Sequence, residues 1–389
     1  MQKRKPFSYV LIIILLSYSN PTCQISKKVL SLNENNSFQL LSSIQKGFSF
    51  TPWEENSLKK IEANNSLLEL KETGTEWVVL CFWYFQDERT STVIEPDYNL
   101  YSVNISDVIS YIDIIHEQNM KVVLKPMLDL RTGEWRAYIE PSEEWFKAYT
   151  EFITFWAEIA QSKGVEFFVV GCELDGTISD TNNWIKTINA VREVYKGPIT
   201  YAANYDIYEQ IEFWDYLDYI GINAYFPLSD TTNPTLEQLK LGWDSYIPQL
   251  HSFSIQHNRS IIFTEIGYRS LNGANKDPWN WERKGIKDER EQYLCYEATF
   301  ETIANLSWIA GLYWWNWEVN PEDESATGYS PHNKLAEKIL KHWYKGEPLK
   351  DLPKRNVYVW VITGSVLIMA AFFVVFLKYR RKLSLSKKT

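Results

Sequence analysis

The chain has 389 residues and a formal net charge of −9 at pH 7, which argues against a nucleic-acid partner because nucleic acids require a basic face. Aromatic residues make up 15% of the chain, with 17 Trp and 24 Tyr. A core alone rarely needs so many Trp, because each buried indole must find a partner for its N–H. Aromatic platforms for a carbohydrate are therefore favoured over a large Trp-rich core.

The first 23 residues have the pattern of a secretory signal peptide. A basic cluster at residues 3–5 precedes an apolar run at residues 10–16, which is too short to span a membrane stably. Cys23 is a candidate for lipidation, although the residues before it differ from those of a typical lipobox. Residues 24–45 form a polar lead-in to the next region.

Residues 46–345 alternate short apolar runs with amphipathic segments. One amphipathic segment begins at Ser142, a good N-cap, and ends at Gly164, as a helix does. About eight such strand–helix units in ~300 residues predict a (β/α)8 TIM barrel rather than a doubly wound sheet, the alternative. The predicted strands are, in chain order, GFSFTPW, WVVLCFWYF, KVVLKPML, EFFVVGCEL, PITYAAN, YIGINAYF, SIIFTEIGY and IAGLYWWNW.

The C-terminal region predicts a membrane anchor. Residues 346–356 combine Pro, Gly and charge and form a linker. Residues 357–377 are uncharged and apolar, and their number matches the ~20 residues of a transmembrane helix. Residues 378–389 are strongly basic, which places this tail in the cytoplasm. We therefore expect a monomeric barrel outside the cytoplasm, at the cell surface or in the periplasm.

Two glutamates stand at the ends of predicted strands. Glu173 ends the fourth predicted strand and Glu265 ends the seventh. Because active sites of TIM barrels lie at the carboxyl ends of the strands, both side chains are expected in one mouth. A single acid there could simply pair with Lys or Arg, but two favour chemistry. Two carboxyl groups in an aromatic cleft are typical of a glycosidase active site. One attacks the anomeric carbon and the other protonates the leaving oxygen.

Four segments resemble glycoside hydrolase family 113, whose known members degrade β-1,4-mannan; they are KGFSFTPW, VVLKPMLDLRTGEWRAYI, AANYDIYEQIEFWDYLDYIGINAYFPL and FTEIGYRSLNGANKDPWNW. The resemblance implies a retaining hydrolase that cleaves β-1,4-mannosidic linkages in mannan or manno-oligosaccharides. It implies that Glu173 is the acid/base, that Glu265 is the nucleophile, and that Tyr225 hydrogen-bonds the nucleophile. The sequence contains no nucleotide-binding or zinc-protease motif, and we expect no cofactor and no metal.

The chain departs from the family's clan at two positions. Cys172 stands directly before Glu173, where clan A enzymes commonly place an Asn that binds the sugar 2-hydroxyl, and a thiol is a weak hydrogen-bond partner. Met127 stands where a polar residue such as His is expected. Two alternatives therefore remain: a clan A hydrolase of β-glucan, and an inactive surface protein that only binds glycan. The spacing of Cys81, Cys172 and Cys295 fits no metal-binding motif, and we expect all three to be buried free thiols.

Eight further residues are candidates for binding the sugar. Lys125 interrupts an apolar strand, and it either binds hydroxyls or pairs with an acid. Asn204 and Asn223 end the fifth and sixth strands, where Asn is also a routine turn residue. The rest are tryptophans at or beyond strand ends: Trp53, Trp135, Trp279, Trp315 and Trp317. For Trp315 and Trp317, packing under the flanking helices is the alternative.

Overall fold

The computed structural model of the chain describes residues 44–303 and 306–349. Residues up to Glu347 belong to one compact unit, and only the first two residues of a second unit are described. The predicted signal peptide with Cys23, the transmembrane helix at 357–377 and the basic tail lie outside the described residues. Within the described ranges, every helix is too short or too polar to cross a membrane.

Eight parallel strands close into a barrel in chain order, which confirms the predicted fold. Each strand pairs with the next, and the last pairs with the first. The strands are β1 (Gln45–Thr51), β2 (Trp77–Gln86), β3 (Lys121–Leu130), β4 (Phe167–Cys172), β5 (Ile199–Asn204), β6 (Ile220–Asn223), β7 (Ile261–Ile266) and β8 (Ile309–Glu318).

Seven of the strands are followed by an α-helix in the described part of the chain. β5 is instead followed by two single-turn 3-10 helices, Tyr208–Gln210 and Trp214–Tyr216, so the expectation of a helix in every unit is wrong here. These two short helices make the crossover between β5 and β6, which spans residues 205–219. The α-helices are α1 (Ile61–Glu72), α2 (Ile105–Glu117), α3 (Glu143–Lys163), α4 (Thr181–Val194), α5 (Leu236–His257), α6 (Glu289–Ile303) and α7 (Leu335–Lys345).

Local sequence fixes where the helices begin and end. The Ser142 side chain accepts a hydrogen bond from the backbone N–H of Trp145 at the start of α3. Gly164 ends the same helix with φ of 66°, a left-handed conformation that suits glycine. These are the two boundaries that the sequence predicts, and they set the length of the helix that covers β3 and β4.

The strands are buried on both faces because helices cover the outside and side chains fill the inside. All ten residues of β2 are buried. Met127 lies in the apolar cluster inside the barrel and is 1% exposed. Cys81, Cys172 and Cys295 are buried, as predicted. Burial of each large apolar side chain contributes about 1.5–3 kcal/mol to the stability of the fold. The packed barrel therefore holds the strand ends in fixed positions.

Candidate active site

A cleft of about 1020 Å³ opens at the carboxyl ends of the strands. Glu173 and Glu265 both lie on its wall, so the structure brings together the two acids that the sequence singles out. The rest of the wall is rich in aromatic rings: Trp53, Trp83, Tyr101, Trp135, Tyr205, Tyr225, Trp279, Trp281, Trp315 and Tyr329. This is an apolar groove with convergent polar groups, which suits the hydrophobic faces and hydroxyls of a neutral sugar.

Glu265, the next-to-last residue of β7, has both carboxylate oxygens engaged. Lys125 Nζ lies 2.5 Å from Oε1, and the Tyr225 hydroxyl donates to Oε2 at 2.6 Å. Glu265 is 5% exposed and Lys125 is fully buried. Burial alone lowers the pKa of Lys125, but the neighbouring acidic groups raise it above its ordinary value, so it stays a cation. The two donors therefore fix the plane of the Glu265 carboxylate.

Glu173 directly follows β4 and has a left-handed backbone with φ of 54°. A non-glycine residue in this conformation costs about 1–3 kcal/mol, and such residues cluster at functional sites. Its N–H donates to the carbonyl of Ala202 at 2.9 Å. On the carboxylate, Asn223 Nδ2 donates to Oε1 at 2.7 Å, and Trp135 Nε1 donates to Oε2 at 3.3 Å. Arg136 lies 3.6 Å from Oε2.

Burial raises the pKa of Glu173 above its ordinary value, and the charge of Glu265 raises it further. Arg136 and the hydrogen bond from Asn223 oppose these effects. The register of the sheet shows how close the two acids are, since Asn223 pairs with Glu265 across β6 and β7 while its side chain bonds Glu173. The site therefore holds one carboxyl group biased towards its neutral form beside a second that two donors hold in place.

Cys172 makes only long contacts with the groups around it. Its Sγ lies 3.6 Å from Asn223 Nδ2 and 3.9 Å from Arg136 Nη1. The amide of Asn223 is held in one orientation because its oxygen accepts a hydrogen bond from Thr264 at 2.9 Å. An asparagine amide thus does stand beside Glu173, but it comes from β6 and not from the residue before the acid.

Five of the eight further candidates line the cleft, namely Trp53, Trp135, Asn204, Trp279 and Trp315. Trp135 and Trp279 are 45% and 52% exposed, so each has much of its ring open to solvent. Asn204 Nδ2 donates to both oxygens of Asp175, at 3.1 and 3.0 Å. Because the amide nitrogen faces Asp175, the side-chain oxygen of Asn204 points away from Asp175. The two hydrogen bonds to Asp175 set the orientation of the amide.

The other three candidates lie away from the cleft wall. Lys125 and Asn223 are fully buried, and their polar atoms bind Glu265 and Glu173 respectively. Trp317 is also fully buried, and its N–H donates to Ser66 of α1 at 3.0 Å. The pairing of β1 with β8 shifts register between Phe48 and Phe50, so the simple alternation that groups Trp317 with Trp315 does not hold. The first two are placed to orient the acids, and Trp317 is placed to pack.

Glu318 is a residue in the cleft wall that the sequence reasoning overlooked. It is the last residue of β8, and Glu265 is next to last in β7, so the rule that singled out the first two glutamates applies equally to it. Tyr329 was also missed, because it lies on a loop after β8 and carries no strand-end signal. Its hydroxyl donates to the carbonyl of Pro278 at 2.6 Å, which ties the loop after β8 to the loop after β7.

A parallel (β/α)8 barrel with paired glutamates in an aromatic mouth is an arrangement that suits a glycoside hydrolase. A family model described as Glycoside Hydrolase Family 113 matches residues 48–334, and the chain belongs to this family, as its sequence predicts. It is therefore a glycoside hydrolase by family. A search of curated proteins gave no match.

Solved structures of the same family are similar to this chain over most of its length. A complex structure of a GH113 β-1,4-mannanase is 28% identical, with a TM-score of 0.71, and the match covers 78% of this chain and 100% of that one. The GH113 β-mannanase AaManA from Alicyclobacillus acidocaldarius, in complex with ManMIm, is 27% identical with a TM-score of 0.70, covering 78% and 98%. A β-D-glucuronidase for Dictyoglomus thermophilum, 14% identical with a TM-score of 0.54, shares the fold alone; the match covers 78% of this chain and 51% of that one.

Proposed function

We propose that the protein is a retaining hydrolase that cleaves β-1,4-mannosidic linkages in mannan or manno-oligosaccharides. The observation that carries the proposal is the unequal treatment of two neighbouring carboxyl groups. Glu265 is clamped by Lys125 and Tyr225, whereas the pKa of Glu173 is raised by burial and by the charge of Glu265. The likeness to β-1,4-mannanases of the same family supports the choice of sugar.

In the first step, a Glu265 oxygen attacks the anomeric carbon while the glycosidic C–O bond breaks. Glu173 donates its proton to the leaving oxygen, so that the leaving sugar departs as an alcohol. Lys125 and Tyr225 keep the attacking carboxylate aimed at the anomeric carbon, since each binds one of its oxygens. The products are a glycosyl ester on Glu265 and a Glu173 carboxylate.

In the second step, Glu173 removes a proton from water, whose oxygen attacks the anomeric carbon and displaces Glu265. Once Glu265 is an ester, it no longer carries the negative charge that raises the pKa of Glu173. Glu173 therefore shifts towards its ionised form when a base is needed. Two displacements at the same carbon restore the β configuration, which makes the reaction retaining.

The direct test is hydrolysis by the purified protein of mannan, glucomannan, cellulose and xylan. We expect reducing sugar from mannan and glucomannan, and proton NMR is expected to show the β-anomer as the first product. Activity on cellulose alone would assign the enzyme to β-glucan instead. A first product with the α configuration would rule out the retaining mechanism, and no activity on any β-glycan would rule out the proposed function.

Asn223→Ala is expected to shift the pH profile without weakening substrate binding. The Asn223 bond lowers the pKa of Glu173, so its loss moves the basic limb of kcat/KM to higher pH. KM is expected to stay the same because Asn223 is fully buried. Asn204→Ala is the matched control, since Asn204 lines the cleft and its amide binds Asp175 and not Glu173; it is expected to raise KM and to move the limb less than Asn223→Ala does. A higher KM and an unmoved limb in Asn223→Ala would instead make Asn223 a sugar ligand.

We further propose that the enzyme is exported and anchored in a membrane by residues 357–377, with residues 378–389 in the cytoplasm. The proposal is supported by the basic and apolar pattern at residues 1–23, by the uncharged run at 357–377 and by the positive-inside rule. In cells whose outer envelope has been removed and whose inner membrane is intact, added protease is expected to degrade the barrel and to spare a tag placed after residue 389. Recovery of the barrel in the soluble cytoplasmic fraction would contradict this topology.

A further inference from the structure

A third strand-end glutamate, Glu318, opens into the same cleft and is held by three neutral donors. Trp53 Nε1 donates to Oε2 at 2.5 Å, and the Thr51 hydroxyl donates to the same oxygen at 3.0 Å. Asn316 Nδ2 donates to Oε1 at 2.9 Å. Within the described ranges no lysine or arginine forms an ion pair with Glu318, unlike Glu265 with its partner Lys125. A carboxylate buried without a cation is costly, so its retention needs a reason other than charge pairing.

The three hydrogen-bond donors stabilise the Glu318 carboxylate in place of a cation. Burial raises the pKa of Glu318 and the hydrogen bonds from Asn316, Trp53 and Thr51 each lower it, which leaves the pKa at about 7. Glu324, which also raises the pKa, is itself occupied with Ser330 and His332. Three of the about four acceptor positions of the Glu318 carboxylate are occupied by neighbouring side chains, so the carboxylate is placed to hold those side chains in position.

Trp53 is the partner whose position affects the cleft. Its ring stacks on Trp83, with centroids 4.5 Å apart and planes at 25°, and it meets the edge of Tyr101 at 5.8 Å. All three rings line the cleft. Stacking resists separation of the rings but is permissive to sliding and rotation within the plane. The directional bond from the Trp53 N–H to Glu318 removes that remaining freedom.

We propose that Glu318 is a positioning residue that locks Trp53 in place as a platform for a sugar unit of the substrate. The proposal rests on the proposed β-mannan hydrolysis for the identity of the ligand, but the lock itself is a property of the free protein. It predicts that an acceptor oxygen at residue 318 is needed for tight substrate binding and is not needed for the chemical steps.

The lock is tested first without any ligand. The near-ultraviolet circular dichroism of the wild type minus that of Trp53→Phe gives the signal of the ordered indole. Glu318→Met has similar volume and no acceptor, so it is expected to lose this signal. Glu318→Gln keeps an acceptor oxygen and is expected to retain it. A signal that survives in Glu318→Met, or that vanishes equally in Glu318→Gln, would overturn the lock.

The second measurement is steady-state kinetics on manno-oligosaccharides. Glu318→Met and Trp53→Phe are each expected to raise KM by roughly threefold to tenfold, the range for one misplaced aromatic contact. The kcat is expected to stay unchanged, because the lost contact stabilises the bound substrate and the transition state equally. Glu318→Gln is expected to restore most of the affinity. The double variant is expected to be no worse than either single variant, because both remove the same bond.

Glu324→Met is the matched control, since it removes a nearby acid that does not touch Trp53. An equal rise in KM in this control, or additive effects in the double variant, would show that Glu318 acts through general electrostatics or stability. Trp53→Phe keeps Glu318 and reports on the bond even if Glu318→Met folds poorly. If the spectroscopic result holds and the wild type hydrolyses no mannan, the proposed function fails while the lock stands.

Discussion

Replacing Glu265 by Gln is expected to abolish mannan hydrolysis, with a loss on the order of 10⁴-fold or more in kcat, because the covalent path disappears. Gln has nearly the shape of Glu but cannot attack the anomeric carbon. Release of reducing sugar from mannan checks the result. In Glu265→Ala, added azide is expected to rescue cleavage of an activated aryl β-mannoside and to give the α-mannosyl azide, since a small anion can enter from the nucleophile's face.

A loss of activity must be separated from a loss of fold, because Lys125 is fully buried against Glu265. Removing one partner of a buried ion pair typically costs about 3–5 kcal/mol of stability. Adding Lys125→Met to Glu265→Gln removes the stranded cation, and it is expected to restore part of the unfolding free energy without restoring activity. Measurable mannan hydrolysis by Glu265→Gln, in a preparation free of wild type, would exclude Glu265 as the nucleophile.

The barrel and its two central acids were predictable because the sequence marks them locally. Each strand is a short apolar run bounded by turn residues, and helix limits such as Ser142 and Gly164 follow from simple capping chemistry. Glu173 and Glu265 stand out because an acid ends an otherwise apolar run. Strand order then places both at one mouth, since parallel strands in a barrel share one carboxyl end.

The sequence does not mark the roles of Lys125, Asn223 and Trp317 in the same local way. Lys125 and Asn223 bind acids on other strands, and such contacts depend on register between strands far apart in sequence. Trp317 is turned away from the cleft next to a register shift between β1 and β8, which the two-residue period does not anticipate. Periodicity locates a residue along its strand, whereas its partner is set by how neighbouring strands align.

The structure also changes how the Cys172 substitution is understood. The thiol makes only long contacts, so it does not replace an amide in strength. Asn223 instead reaches Glu173 from β6, with its orientation fixed by Thr264. This hydrogen bond lowers the pKa of Glu173, and it binds the Asn223 amide to the acid. What weakens the alternative of a protein that only binds glycan is membership of Glycoside Hydrolase Family 113.

Replacing Glu173 by Gln is expected to affect substrates according to their leaving groups. The leaving group of a manno-oligosaccharide is a sugar hydroxyl, which departs poorly as an alkoxide and needs the proton from Glu173. The kcat/KM for manno-oligosaccharides is therefore expected to fall by about 10²–10⁴-fold. An aryl β-mannoside with a stable phenolate leaving group needs no proton in the first step. Its kcat/KM is expected to change far less, while its kcat falls because no base assists water in the second step. A burst of phenolate followed by slow turnover would report the accumulated glycosyl-enzyme.

The pH profile gives the second part of the same test. In the proposed mechanism Glu173 must be protonated in the first step, so wild-type kcat/KM is expected to fall as pH rises through its pKa. Burial and the charge of Glu265 raise that pKa, which moves the basic limb above the range of an ordinary glutamate. Glu173→Gln has no proton to lose, and its kcat/KM for the aryl substrate is expected to show no basic limb. If this limb persisted, or if both substrates lost activity equally, the acid would have to be another residue of the cleft.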